Sequence, residues 1–302
     1  MLNRRDFIRR SLQAASLSAF GGLPVFDLVP QVYAADAVEL AVRKGTDIPA
    51  LVRETVAALG GMDRFVQSGE TVVLKPNIGW DRTVEQAANT HPEIVATVAL
   101  LCLEAKAARV RVFDRTCNDP RRCYVQSGIA EAIESLDDKR VELEHMDRRG
   151  YQDVVLKNGV ALQKWEFYKP ALEADRLINL PIAKDHSIST LTLAMKNIMG
   201  VIGGNRGMLH RNIDEALADI NSVIHSDLTI IDATRILTAN GPQGGDLKDV
   251  KKLDTLIASA DIITADSYAA TLFGFRPEQI PMIAAGAKRG LGIMDLSKVK
   301  KV

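Results

Sequence analysis

Cysteine is scarce in this chain and poorly spaced for ligation. Cys102, Cys117 and Cys123 are the whole complement among 302 residues. Three thiols cannot build an all-cysteine four-ligand site, and no Cys-x-x-Cys run supplies a ferredoxin-type cluster motif. No His-x-x-x-His pair is present either, so a zinc site of ordinary spacing has no support. A Gly-x-Ser-x-Gly elbow is also missing, which removes the usual serine-hydrolase reading. The chain has no net charge, with 38 basic residues against 38 acidic ones. Its one basic block, Lys298 to Lys301, reads as a solvated tail. This excludes the electrostatic footprint of a nucleic-acid binder. No charge-free run of membrane-spanning length follows residue 34, so no stable transmembrane segment is expected after it.

What is present begins at the N-terminus. Residues 3 to 9 read Asn-Arg-Arg-Asp-Phe-Ile-Arg, and an uncharged stretch runs from Ser11 to Leu23. Val32-Tyr33-Ala34 then precedes Ala35. The order of charged, apolar and small-residue regions resembles a twin-arginine export signal with cleavage after Ala34. It predicts an exported, periplasmic protein that meets the twin-arginine translocase while already folded. About 268 residues follow Ala34, enough for one large domain, taken as residues 36–302.

From Val38 onward two periods alternate. Strands are expected at 38–43, 71–74, 110–113, 176–179, 228–231 and 255–259. Helices are expected at 48–59, 92–107, 127–136, 191–199, 212–224 and 267–273. Short strands and turns fill 141–165. Strand and helix in alternation predict an α/β fold, a mainly parallel sheet with helices on both faces in Rossmann-like layers, plus a few short antiparallel strands. Asn212 with Glu215 three residues on has the pattern of a capping box. Met195 and Met199 share a helical face with Leu191, Ala194 and Ile198 and read as core.

In such a sheet ligands bind outside the carboxyl ends of the strands. Those ends are polar here. Leu74 leads to Lys75 and Asn77. Phe113 leads to Asp114, Arg115, Thr116 and Cys117, Asn179 to Lys184, Asp185 and His186, and Ile231 to Asp232, Thr234 and Arg235. Cations, amides and carboxylates arriving together predict a site for a polar anion. The glycine-rich segment 200–207 follows a helix and not a strand, so it is no dinucleotide fingerprint. It would admit a ligand to the backbone and project Asn205 and Arg206. The loop 240–245 reads as a turn and, second, as a mobile lid. Among the histidines, His186 and then His210 are best placed, and His91 stands at a helix start. His145 and His225 read as structural. Cys102 reads as core. Cys117 and Cys123 flank a polar loop and admit three readings: a disulfide, two metal ligands, or two unconnected residues.

Five segments carry a family resemblance: VVLKPNIGWD, DRTCNDPRRCYVQSGI, LINLPIAKDHSISTLTLAMKNIMGVIGGNR with Leu209-His210, LTIIDATRIL with NGPQGG, and SADIITADSYAATLFG. In this order they resemble the domain of unknown function 362 family, from Val38 to about Gly292. Family members are partly described as iron–sulfur proteins, often through an attached ferredoxin module that this sequence does not contain. If a metal or iron–sulfur cofactor of that kind is held here, Cys117 and Cys123, which also fall on family motifs, are the candidate ligands. The family motifs fall on Lys75, Asn77, Asp114, Lys184, His186, Lys196, Asn197, Asn205, Arg206, His210, Asp232 and Asn240. Of these, Lys184, His186, His210 and Asp232 are the expected catalytic set, and the remainder the expected binding set. The leading functional expectation is an exported enzyme on a polar anionic small molecule, an oxidoreductase if the cysteines are redox-active. In it Lys75, Lys184, Lys196 and Arg206 hold the anion, and His186 or His210 moves protons. The alternatives are a non-catalytic metal or iron–sulfur carrier, and an accessory of another exported redox protein.

Overall fold

The computed structural model describes residues 38–302 and a two-residue strand, β1 (Val25–Phe26). The expected leader otherwise lies outside the described residues. The remaining strands are β2 (Glu39–Lys44), β3 (Thr71–Pro76), β4 (Arg109–Val112), β5 (Val141–Leu143), β6 (Tyr151–Leu156), β7 (Lys164–Tyr168), β8 (Arg176–Leu180), β9 (Ile182–His186), β10 (Thr190–Thr192), β11 (Leu228–Leu237), β12 (Val250–Ser259) and β13 (Lys300–Lys301). The helices are α1 (Ile48–Ala58), α2 (Pro92–Glu104), α3 (Pro120–Gln126), α4 (Ile129–Glu134), α5 (Lys169–Glu173), α6 (Ala194–Asn197), α7 (Ile213–Val223), α8 (Ile262–Thr271) and α9 (Pro281–Lys288).

The large sheet has the order β13-β2-β12-β11-β8-β3-β4-β5, with β9 and β10 attached beside β11. The five strands from β11 to β5 are parallel, and β12 runs antiparallel between β11 and β2. A second sheet joins β1, β6 and β7. Both faces of the large sheet are covered, as the α/β pattern requires. Val72 and Leu74 belong to a core with Leu51, Val56, Ile94 and Val98. Val73, between them, belongs to the other core with Met195, Leu217, Ile263 and Ile283. The two-residue period of a strand sends neighbours to opposite layers.

Sheet order decides where a ligand can enter. From β3 the chain steps outward through β4 to β5, then returns to place β8 on the other side of β3. The β3–β8 boundary is therefore a topological switch point, where a crevice opens outside the strand ends. Register there sets Lys75 opposite Asn179 and Pro76 opposite Leu180.

Several local expectations change. The helix expected at 191–199 starts only at Ala194. Thr190–Thr192 instead pairs with Lys184–His186 as a hairpin, so Lys184, Asp185 and His186 lie on a strand. Pro181 interrupts the ladder without ending it, since its carbonyl still accepts from Asp232 N at 2.8 Å. The expected 127–136 helix is shorter, Ile129–Glu134, and begins only after Gly128, whose φ is +73°; a separate helix, Pro120–Gln126, precedes it. The last long helix begins at Ile262, five residues early, because Asp261 caps it by accepting from Thr264 N at 2.8 Å. Asn212 makes no side-chain cap, which removes the expected capping box at α7.

Candidate functional site

A cavity of about 580 Å³ opens at the switch point. The residues around it come from every strand end that the crevice exposes. Asn77, just beyond β3, lines it. The β4 exit gives Asp114 to Cys117. β9 gives Lys184 and His186, and α6 gives Lys196 and Asn197. The glycine-rich segment adds Gly200, Asn205, Arg206 and His210.

Beneath the cavity is a buried ion pair. Lys75 Nζ lies 2.8 Å from Asp114 Oδ1, with side-chain exposures of 0% and 4%. The ammonium also donates to Pro76 O at 2.6 Å and Asn197 Oδ1 at 3.3 Å. Burial pulls the Lys75 pKa down, and the Asp114 carboxylate opposes that pull. Asp114 Oδ2 accepts from Ile78 N at 2.6 Å, which ties the two strand exits together.

Above the pair runs a chain of amides whose orientations are mutually fixed. Asn197 Nδ2 donates to Lys75 O at 2.9 Å and to Asn179 Oδ1 at 2.8 Å. Its Oδ1 accepts from Asn77 Nδ2 at 3.0 Å, and Asn77 Oδ1 accepts from Lys184 Nζ at 3.1 Å. Asn179 Nδ2 closes the row on Ala194 O at 3.0 Å. Each amide has one consistent assignment, so the network presents Lys184 in a set position.

The two cavity lysines differ from Lys75. Lys184 donates to Asn77 Oδ1 and to Ala88 O at 2.6 Å but has no carboxylate. Burial first, and then the charges of Lys196 and Lys75, bring it down to about 7. Lys196 has no hydrogen bond or ion pair among the described residues. Burial and the Arg206 charge bring it down to about 8. Both amines are thus poised near neutrality.

Histidine roles follow from the same network. His186 Nδ1 accepts from Ile188 N at 3.1 Å and Ser189 N at 3.3 Å, so the ring proton sits on Nε2. Burial, followed by the charges of Lys196, Lys184 and His210, pushes its pKa down to about 3. His186 is accordingly a neutral donor and not a neutral-range proton carrier. His210 packs against it with ring centroids 6.2 Å apart. Its Nδ1 lies 3.2 Å from Gly207 O, which can only accept, so Nδ1 carries a proton.

Arg206 and Arg115 shape the field more than they clamp. Arg206 donates to Arg115 O at 2.9 Å, Thr116 O at 2.9 Å and Met199 O at 3.4 Å. Arg115 donates to Ile202 O and Gly204 O. These carbonyls occupy three donors of Arg206 and two of Arg115 but neutralise no charge. Around the cavity Lys184, Lys196, Arg115 and Arg206 face one carboxylate, Asp114, which already belongs to Lys75. The surplus is positive and favours an anion.

Some expected residues lie elsewhere. Asp232 is fully buried and does not line the cavity. It accepts from His91 N at 2.8 Å, Arg235 Nη1 at 2.5 Å, and both the N and Oγ1 of Thr234, which leaves no free oxygen for chemistry. Asn240 donates to Asp249 Oδ2 at 2.7 Å. Its loop is pinned, since Gly241 N donates to Asp185 Oδ2 at 3.0 Å and a Cβ at Gly241 would meet Asp185 O at 1.8 Å. The loop is a fixed wall that contributes Pro242 to the cavity.

All three cysteines are free. Cys117 is exposed at the cavity, with Arg206 Nη2 3.9 Å from its Sγ. Cys123 is buried, its Sγ 3.8 Å from Gly79 O. Among the described residues no three His, Cys, Asp or Glu side chains converge on one point. The donor set therefore does not fit an iron–sulfur cluster of the kind described for family members. No helix among the described residues is long and apolar enough to cross a membrane.

Sequence reasoning did not single out Asn179, Thr192 or Asp266 as site residues. Asp266 accepts from Ala194 N at 2.7 Å and Met195 N at 3.0 Å, seating the helix that carries Lys196. Nothing local marks it, because it lies on α8, about 70 residues downstream.

Among solved structures, the lactate racemase apoprotein of Thermoanaerobacterium thermosaccharolyticum is 9% identical, with a TM-score of 0.46 over 82% of this chain and 58% of that one. A Thermotoga maritima protein is 11% identical, with a TM-score of 0.43 over 77% and 60%. The chain thus spans less than two thirds of either structure. In sequence, a thylakoid-associated protein of Synechocystis sp. is 30% identical over 250 residues, which is 80% of this chain and 75% of that protein. The family profile described as Domain of unknown function (DUF362) matches residues 72–271. The chain belongs to the DUF362 family.

Proposed function

We propose that this protein is an enzyme acting on a small organic anion, with Lys184 and Lys196 exchanging protons with the substrate or attacking it. The observation that carries this reading is the pair of cavity-lining lysines without carboxylate partners, brought by burial to about 7 and about 8. A lysine fully charged at neutral pH is a poor base. One near neutrality matches the requirement for general acid–base work. Positive surplus from Arg115 and Arg206 supports an anionic substrate, and the neutral Nε2–H of His186 supplies an uncharged donor for it. Lys75 and Asp114 are assigned to support, since each is the other's partner. Cys117 is exposed and unbridged while Cys123 is buried, so proton transfer is preferred over a dithiol redox step.

A carrier would use the same cations but would gain nothing from amines tuned to neutrality. The two are separated by hydrogen–deuterium exchange into a panel of small carboxylates and phosphate esters in heavy water, followed by NMR. Exchange that disappears in Lys184→Met and Lys196→Met supports the enzyme. Anion binding without exchange on any panel member supports the carrier. We further propose export by the twin-arginine route, supported by Arg4, Arg5, Phe7 and the Val32-Tyr33-Ala34 site. Amino-terminal sequencing of periplasmic protein should begin at Ala35, and an intact N-terminus on protein confined to the cytoplasm would refute export.

A further inference from the structure

We infer that Lys196 is a carbonyl-trapping amine, which condenses with a small anionic 2-oxo acid to form an imine. The inference rests on the anion-cavity reading above and names its substrate class.

Three lysines stand at this site, and their partners separate them. Lys75 has two hydrogen-bond acceptors and a carboxylate. Lys184 has two acceptors. Lys196 has none among the described residues, although it lines the cavity. Lys196 is only partly buried, yet no group among the described residues accepts from its ammonium, and partial desolvation still carries a cost that a neutral amine avoids. Burial and the Arg206 charge act in the same direction, towards the neutral form. A neutral amine with its lone pair unengaged is a nucleophile, and desolvation beside another cation is how lysines are activated for imine chemistry.

A second, independent observation points to a bound polar group. Thr192, only 4% exposed, lines the same cavity, and its Oγ1 has no hydrogen-bond partner. A buried hydroxyl left unpaired is costly, and a ligand oxygen would satisfy it. A 2-oxo acid offers two kinds of oxygen together. Its carboxylate suits the positive surplus of Arg115, Arg206 and Lys184. Its neighbouring carbonyl gives the Lys196 amine an electrophile.

The step balances without any co-reactant. The Lys196 Nζ lone pair attacks the carbonyl carbon as the C=O π bond breaks onto oxygen. That oxygen takes one proton, and nitrogen releases one, giving a carbinolamine. Lys184, which titrates near neutrality, is placed to deliver a further proton to the hydroxyl. Water then leaves as the C=N bond forms and nitrogen sheds its remaining proton. Amine and ketone become imine and water, with no change of oxidation state.

The test is reductive trapping on the full chain. The protein is incubated with pyruvate, glyoxylate or 2-oxoglutarate and cyanoborohydride, then mapped by peptide mass spectrometry. The expected result is one saturable adduct at Lys196, about tenfold above any other lysine, and suppressed by oxalate, which holds the anion site but offers no ketone. Lys196→Arg should lose that adduct while keeping oxalate binding. The oxalate competition needs no variant, so the test stands even if Lys196→Arg fails to fold. Adducts scattered over surface lysines, or none with any of the three acids, overturn the inference. If oxalate still binds in that case, the anion-site reading survives. If oxalate does not bind, both fall.

Discussion

Lys75 and Asp114 form an ion pair sealed from solvent at the carboxyl edge of the sheet, Nζ to Oδ1 at 2.8 Å. The pair joins the exits of β3 and β4 and supports the amide row that positions Lys184. Removing one member leaves the other charge buried and alone. Asp114→Asn should therefore cost about 3–5 kcal/mol of unfolding free energy. Urea denaturation reads this directly. A cost under about 1 kcal/mol would mean that the pair is solvated and structurally idle.

Gly200 packs against that pair. A Cβ there would fall 1.8 Å from Asp114 Oδ1 and 2.3 Å from Lys75 Cε. Both atoms belong to side chains fixed by other bonds, so neither can swing away. Gly200→Ala should cost about 1–3 kcal/mol and weaken anion binding together with stability. Thermal melts with and without oxalate would show it, and an unshifted melting temperature would contradict the packing.

Asp266 gives stability a pH dependence of definite sign. Burial without a counter-ion pushes it up to about 7 despite its two N–H donors. Between about pH 4 and about pH 7 the folded chain holds a proton that the unfolded chain has released. Stability then falls as pH rises through this window, by on the order of 1 kcal/mol per unit, and levels off above it. Asp261, pushed up to about 6 by burial, adds the same sign over a narrower range. Asp266→Asn should flatten the slope that belongs to Asp266. Equal slopes in wild type and variant would show that Asp266 is ionised throughout.

Cys117 should react with iodoacetamide selectively. It is exposed among cations, whereas burial pushes Cys102 up strongly and Cys123 up to about 11. Peptide mapping should find Cys117 alkylated first, with oxalate slowing the reaction. Equal labelling of Cys123 would mean that the loop 114–123 opens.

The α/β fold was legible because strand and helix periods alternate from Val38 onward, and the strand ends carry Lys75, Asp114, Lys184 and Asp232. Their assembly was not. Asp232 shares its strand-end signature with Asp114, yet Arg235, Thr234 and His91 consume it, and only tertiary contact distinguishes the two. His186 looked like a neutral-range acid–base group by residue type. Two backbone N–H donors set its tautomer, and burial with the nearby lysines sets its charge; these depend on the β9–β10 hairpin that the sequence pattern disguised as helix. Asp266 escaped notice because its partners lie about 70 residues upstream.

The central claim is a cationic cavity with amines near neutrality, and the most direct measurement is calorimetric titration with oxalate at several pH values in buffers of different ionisation enthalpy. An anion favours the charged amines, so binding should take up protons around pH 7 to 8, and affinity should fall about tenfold between about pH 6 and about pH 9. Lys196→Met should lose part of that dependence. Affinity that is independent of pH, or no oxalate bound by folded wild-type protein, would contradict the account.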